Sequence, residues 1–275
     1  MTNTIVTAQW LNQHLNDDKL IILDASQKHN EDSVYIKNTR IFDIKNVFSD
    51  TKSPYPNTFP DANQFENECK NLGINNDSII VVYDNVNIFS SPRVWWLFNT
   101  MGFKNIAVLD GGLPEWIAQG FDTVAQPNNN FSKGNFTANL NAKNIKYKEE
   151  LLQNIDTKKA IVLDARAKGR FDGTTPEPRE GLSSGHIPNA INLPYKELLE
   201  NGKFKSKAAL KIIFDNLNLG NSPIIYSCGS GITACILHLA HSLISNNDKA
   251  IYDGSWTEWC QQPNYPIAKN NLINE

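Results

Sequence analysis

The chain carries an internal repeat, and that repeat restricts the folds open to it more than any single motif does. Residues 5–24, IVTAQWLNQHLNDDKLIILD, align with residues 145–164, IKYKEELLQNIDTKKAIVLD, at a constant offset of 140. Leu11 then meets Leu151, Leu15 meets Ile155, and Leu23-Asp24-Ala25 meets Leu163-Asp164-Ala165. Each copy reads as a short amphipathic helix leading into an apolar strand that ends at an aspartate. A second pair of blocks matches further along. Ile80-Val81-Val82-Tyr83 corresponds to Pro223-Ile224-Ile225-Tyr226, and Leu109-Asp110-Gly111-Gly112 to Tyr252-Asp253-Gly254-Ser255, now at an offset of 143. From Tyr83 to Asp110 and from Tyr226 to Asp253 is 27 positions in each half, so a small insertion separates the blocks while their order and spacing persist.

Continuous apolar strands of this kind are those buried in parallel sheets. The repeat therefore predicts an α/β fold of two tandem domains, each a parallel sheet flanked by helices. The first is placed at residues 1–125 and the second at 145–275. Between them residues 126–144, QPNNNFSKGNFTANLNAKN, are rich in Asn and poor in apolar side chains, a linker by composition. With 275 residues and 40% hydrophobic side chains, the chain can bury a sizeable core.

A formal net charge of −3 argues against a general nucleic-acid or membrane-surface binder. The opening residues, MTNTIVTAQWLNQHL, have neither the basic-then-apolar pattern of a secretory signal nor the Arg-rich pattern of a transit peptide. No apolar run approaches the length of a membrane span. The expectation is a soluble, cytoplasmic protein. Its four cysteines, Cys69, Cys228, Cys235 and Cys260, should then stay reduced, and none forms a CxxC pair that would suggest structural zinc. No metal and no cofactor are expected.

One of the four stands apart. Ile224-Ile225-Tyr226-Ser227 is a strand, and the run from Ala234 to Ala240 is apolar at helical spacing. The turn between them is Cys228-Gly229-Ser230-Gly231-Ile232-Thr233. Ligands of open α/β sheets bind beyond the carboxyl ends of the strands, where this turn must lie. Two glycines permit positive φ and keep side chains out of the way, so successive N–H groups can converge, and the next helix adds the positive end of its dipole. A thiol held there is stabilised as its anion and becomes a usable nucleophile, Cys228. The bland alternative is a buried cysteine beside a tight turn. The first-half counterpart of Cys228 is Asn85, without thiol or glycines, so the first domain is expected to be non-catalytic.

These residues resemble the two-domain rhodanese-type sulfurtransferases, and among them those acting on 3-mercaptopyruvate. The resemblance runs nearly the whole length. It rests on Cys228-Gly-Ser-Gly-Ile-Thr-Ala234, Gly185-His-Ile-Pro-Asn-Ala190, Asp164-Ala-Arg166, and Gly169-Arg-Phe followed by Pro176-Glu-Pro-Arg179. Ser90-Ser-Pro-Arg-Val-Trp-Trp96, Ser49-Asp50, Ser53-Pro54 and Tyr252-Asp-Gly-Ser-Trp-Thr-Glu-Trp259 also fit. It implies that Cys228 takes sulfur as a persulfide, releases pyruvate and passes the sulfur to a thiol, to a reductant such as thioredoxin, or to cyanide. It implies that Arg170 and Arg179 hold the donor's carboxylate and keto oxygen, which suits the paired donors of a guanidinium. The loop residues Gly229, Ser230, Gly231, Ile232 and Thr233 would complete the substrate site. Thiosulfate-specific relatives carry basic side chains just after the Cys; here Gly229 and Ser230 are neutral, which favours mercaptopyruvate.

Two departures stand out. The first-half counterpart of the Gly-His-Ile-Pro turn begins at Tyr35 and contains no His, and Asn189 replaces a Gly, which Asn tolerates in the left-handed region. Other readings compete with this one. A phosphatase on a similar loop needs an Arg where this chain has Ala234. A thiosulfate:cyanide sulfurtransferase and a non-catalytic sulfur carrier remain as alternatives. His186 is expected to shape its turn rather than to catalyse. Cys235 with His238 is expected in the core, Cys69 and Cys260 are expected to be inert, and Asp24 and Asp164 to cap strand ends.

Overall fold

The computed structural model of the protein describes residues 3–270. The chain divides into two compact units, Met1–Ala142 with Asn201–Phe204, and Lys143–Glu200 with Lys205–Glu275. The first unit contains β1 (Ile5–Val6), α1 (Ala8–His14), β2 (Leu20–Asp24), β3 (Thr39–Ile41), α2 (Ala62–Asn71), β4 (Ile79–Tyr83), α3 (Ser91–Thr100), β5 (Ile106–Leu109) and α4 (Gly112–Ala118). The remaining elements are β6 (Ile145–Lys146), α5 (Lys148–Thr157), β7 (Ile161–Asp164), α6 (Lys168–Asp172), β8 (Ile191–Asn192), β9 (Leu199–Glu200), β10 (Lys203–Phe204), α7 (Lys207–Asp215), β11 (Ile224–Ser227), α8 (Ala234–Ser242), β12 (Lys249–Tyr252) and α9 (Ser255–Trp259). The short β9 and β10 pair only with each other.

The repeat read in sequence is a repeat of topology. The first sheet runs β1-β5-β4-β2-β3 and the second β6-β12-β11-β7-β8, all strands parallel. Each strand of one order is the sequence counterpart of the strand in the same place of the other. The ends match as well. Asp24 registers with Tyr83 and Asp164 with Ser227, and the next amide closes each edge: Ala25 N–H donates to Tyr83 O at 2.8 Å, Ala165 N–H to Ser227 O at 2.9 Å. Both loops that follow the central strands β4 and β11 therefore leave from the same edge of equivalent sheets.

Local chemistry sets the helix limits. Thr7, Asp61 and Ser206 accept from the amides of Trp10, Gln64 and Ala209, starting α1, α2 and α7. α7 buries Leu210 and Phe214, four apart, and leaves Ile212 62% exposed, as an amphipathic helix should. By contrast, α8 is buried from Ala234 to His241, which matches its apolar sequence on every side. Trp95, Trp96, Phe98 and Met101 are buried, an apolar stripe that packs α3 into the core.

The stretch predicted as a linker needs correcting. Up to Ala142 it belongs to the first unit. Phe136 is fully buried, its ring 5.8 Å from Phe65, 5.8 Å from Phe98 and 5.6 Å from Phe103. Asn135 and Thr137 amides donate to Asn75 and Asn76 side chains. Asn-rich composition hid one aromatic residue whose burial ties the segment down. Asn189 does adopt φ 65°, as its replacement of Gly required.

Candidate active site

The loop between β11 and α8 is fixed from outside rather than by its own residues. Ser255, the first residue of α9, is fully buried at φ 51°. Its Oγ accepts from the amides of Cys228 at 3.3 Å and Gly231 at 3.1 Å, and donates to Tyr252 O at 2.9 Å. Two residues on, Thr257 Oγ1 donates to Gly229 O at 2.6 Å, which also receives the Thr257 amide at 3.0 Å; the Trp256 amide reaches Cys228 O at 2.9 Å. Cys235 Sγ donates to Gly231 O at 3.3 Å. The loop is thus bonded to α9 on one side and to the first turn of α8 on the other.

This refines the predicted cradle. Two of its amides already serve Ser255, so convergence is left to others: among the described residues, the Gly229, Ile232 and Thr233 amides have no protein acceptor. The two glycines have different jobs. Gly231 takes φ 77°, a conformation L side chains rarely adopt. Gly229 leaves room for the arginines: a Cβ there would lie 3.1 Å from Arg170 Nη2, which would have to shift by a few tenths of an ångström, and 3.9 Å from Arg179 Nη1. Those distances also show that Arg170 and Arg179, distant from the loop in sequence, both reach Gly229, the residue after Cys228. Cys228 itself is only 1% exposed. Ile232 is buried and offers the site its backbone, while Thr233 stands at the start of α8 without a side-chain capping bond.

The two arginines are held differently. Glu177, its side chain 2% exposed, accepts from Arg170 through Nε at 3.1 Å and Nη2 at 2.5 Å, a bidentate charged pair. The same Glu177 Oε1 takes Arg166 Nη1 at 2.9 Å. Arg166 is buried, bonded to Asp164 through Nε at 3.0 Å and Nη2 at 2.6 Å and to Gly185 O at 2.7 Å, and its guanidinium lies 4.3 Å from the Trp256 ring. Arg179 instead donates to two hydroxyls, Thr257 Oγ1 and Ser230 Oγ, each at 3.2 Å. Asp164 caps the strand end through the Arg166 amide at 2.9 Å, as predicted, and adds an ion pair that sequence reasoning missed.

The residues set aside as structural behave so. His186 Nδ1 donates to Phe171 O at 2.8 Å, its ring stacks on Phe171 at 3.8 Å, and its backbone bridges Ala268. It braces the helix that carries Arg170. In the first unit Tyr35 bridges Val124 in the same way, occupying the place of that His. His238 stacks on Tyr226. Burial pushes the Cys69 thiol well above its ordinary value and raises that of half-buried Cys260, so neither is a ready nucleophile. At the first-unit counterpart of the loop the prediction needs correcting by one residue: the sheet registers put Asp84, not Asn85, at the place of Cys228, and Asn85 donates through its amide to Ser26 Oγ and through its side chain to Lys28 O. Ser255, Thr257, Glu177 and Arg166 had no assigned role in the sequence reading. The repeat did hold one clue: Ser255 stands where the first half has Gly112, itself at φ 58°.

The chain matches the rhodanese-like domain family twice, over residues 7–119 and 147–262. It belongs to the rhodanese family. It is 36% identical over 284 residues to the 3-mercaptopyruvate sulfurtransferase of Mus musculus, covering 96% of this chain and 95% of that one. It is 37% identical over 272 residues to the thiosulfate sulfurtransferase of Rattus norvegicus, covering 93% and 91%. Among solved structures it is similar to SseA of Escherichia coli, a 3-mercaptopyruvate sulfotransferase, with TM-score 0.82, 32% identity, and 93% and 99% coverage. Rhodanese relatives named for two donors are equally similar, so overall likeness does not choose between donors. Among the described residues no helix is long and apolar enough to cross a membrane.

Proposed function

We propose that the protein is a sulfurtransferase that takes sulfur from 3-mercaptopyruvate onto Cys228 and hands it to a thiol. The observation that carries this reading is the meeting of Arg170 and Arg179 at Gly229, the residue after the thiol, which itself has no side chain. A donor with a carboxylate and a keto oxygen fits two guanidinium groups beside a nucleophile. Cys228 thiolate attacks the donor sulfur, and the carbon–sulfur bond breaks with its electron pair passing into the enolate of pyruvate. The arginines stabilise the charge that gathers on the keto oxygen. The enolate takes a proton from water, leaving a Cys228 persulfide. An acceptor thiolate then attacks the outer sulfur, takes it as its own persulfide and frees the Cys228 thiolate. The acceptor is a small thiol or a dithiol reductant such as thioredoxin, in a reducing, cytoplasmic setting.

Mercaptopyruvate is favoured over thiosulfate because the two side chains after Cys228 bring no charge. The test is intact mass after incubation with mercaptopyruvate. The protein should gain one sulfur atom that a reductant removes, with pyruvate released, and repeated turnover on adding thiol separates an enzyme from a carrier. Pyruvate release that persists in Cys228→Ser, or a sulfur found on another cysteine, would refute the assignment.

A further inference from the structure

The paired charges around the loop are unequal in number, and one residue sets the imbalance. Three guanidinium groups, Arg166, Arg170 and Arg179, face two carboxylates, Asp164 and Glu177. Asp164 is occupied by Arg166. Glu177 bridges Arg166 and Arg170, with both oxygens engaged. Among the described residues Arg179 pairs with no carboxylate; its partners are the neutral hydroxyls of Ser230 and Thr257. The cluster therefore carries one net positive charge, and it does so because Glu177 offsets Arg170. Without Glu177 it would carry two.

We infer that Glu177 is the specificity-determining residue for donor charge: it holds the cluster at a single positive charge, which suits a donor with one carboxylate and penalises a dianion such as thiosulfate. This rests on the reading of Arg170 and Arg179 as the donor-binding pair. The physics is Coulomb energy at a site where Glu177 is buried while Arg179 is exposed, so solvent screens part of it. Adding one positive charge helps a dianion about twice as much as a monoanion at the same distance, so the ratio of the two donors must move. Arg170 is partly exposed, 22% of its side chain, which moderates the effect; a shift of roughly tenfold in that ratio is the expected scale.

The experiment measures kcat/KM for thiosulfate and for mercaptopyruvate, with cyanide as the common acceptor. The proteins are the wild type, Glu177→Gln, Arg170→Gln and the double variant. Glu177→Gln keeps a carbonyl acceptor for the two guanidinium groups while removing the charge, and should raise the thiosulfate-to-mercaptopyruvate ratio by about tenfold. Arg170→Gln takes the cluster to zero and should lower the ratio, both donors weakening but thiosulfate more. The double variant restores one net charge and should return the ratio toward the wild-type value, an outcome that a bracing role for Glu177 would not produce. Should Glu177→Gln fail to fold, the opposite shift in Arg170→Gln still decides the matter. Equal loss on both donors in every variant would overturn the inference. Failure of wild-type Cys228 to take sulfur from mercaptopyruvate would instead refute the functional reading beneath it.

Discussion

Ser255 offers the sharpest test of how the loop is held. Replacing it by Ala removes the acceptor of two buried amides, those of Cys228 and Gly231, and one bond to Tyr252 O. Leaving a buried donor unsatisfied costs about 1–3 kcal/mol, and the two bonds are on the long side, so a loss of roughly 2–4 kcal/mol is expected in total. Ser255→Gly loses the same bonds but relieves a residue held at φ 51°, a conformation that costs a non-Gly residue on the order of 1 kcal/mol. The Gly variant should therefore be more stable than the Ala variant by about 1 kcal/mol. Urea midpoints at constant slope measure the difference. Single-turnover sulfur loading should slow in both by roughly 10–100-fold, because the nucleophile's loop loses its fixed position. If Gly proves as destabilising as Ala, the strain argument is wrong. If loading is unchanged in both, the Ser255 bonds do not position Cys228.

Other outcomes follow from the same geometry. Cys228→Ser should abolish sulfur transfer while the urea midpoint stays near that of the wild type, since the loop bonds run through backbone atoms. Arg179→Ala should raise KM for mercaptopyruvate by an amount matching roughly 1.5–3 kcal/mol, the usual loss of a charged hydrogen bond; unchanged kinetics would remove it from the site. Acid should destabilise the second unit through His241. Burial, helped by nearby Lys249, lowers this imidazole from 6.5 to about 4, and it packs on Phe214 with the Tyr226 hydroxyl 2.6 Å from Nδ1. A depressed histidine is protonated more readily in the unfolded chain. Its contribution is therefore present above about 6.5 and lost as pH falls toward 4, with a ceiling near 3 kcal/mol. Stability against pH for the wild type and for His241→Phe should diverge in that window, the variant showing the flatter acid limb.

The sequence disclosed what periodicity and local spacing encode. Repeat offsets gave both sheets and the carboxyl edge from which the loops leave, and Cys228 with its glycines marked the loop because all its parts are contiguous. Arg170 and Arg179 came from resemblance, not from pattern. What holds these groups was not legible for a physical reason. Thr257 meets Gly229 across 28 positions and Arg179 across 78, and no period or composition marks contacts of that range. Glu177 lay in plain view between two prolines, but its bond to two arginines depends on how α6 and the following loop fold back. The linker reading failed differently. Composition over 126–144 averaged away Phe136, and a single buried aromatic decides whether such a segment is bound or free.

The two units differ in what the equivalent loop gathers its amides around. The sheet registers place Asp84, one residue before the Asn85 that the sequence offset predicted, where the second unit has Cys228: Ala25 N–H reaches Tyr83 O as Ala165 N–H reaches Ser227 O, and the Leu113 amide reaches Asp84 O as the Trp256 amide reaches Cys228 O. The Asp84 carboxylate, fully buried, accepts from the amides of Phe89, Ser90 and Ser91 at 2.9–3.0 Å, from Ser91 Oγ at 2.7 Å and from the Val86 amide at 3.2 Å. Burial holds its pKa above the ordinary carboxylate value, although these bonds work in the other direction. The first-unit loop thus wraps a carboxyl group of its own, whereas the second has the thiol of Cys228 at that place and draws two of its amides to Ser255 from outside. A strand-to-helix turn at the edge of a parallel sheet gathers N–H groups in either case. Its use depends on whether the chain supplies the acid or leaves those groups to an anion that must be bound, and in the first unit Asp84, at the place of Cys228, supplies it.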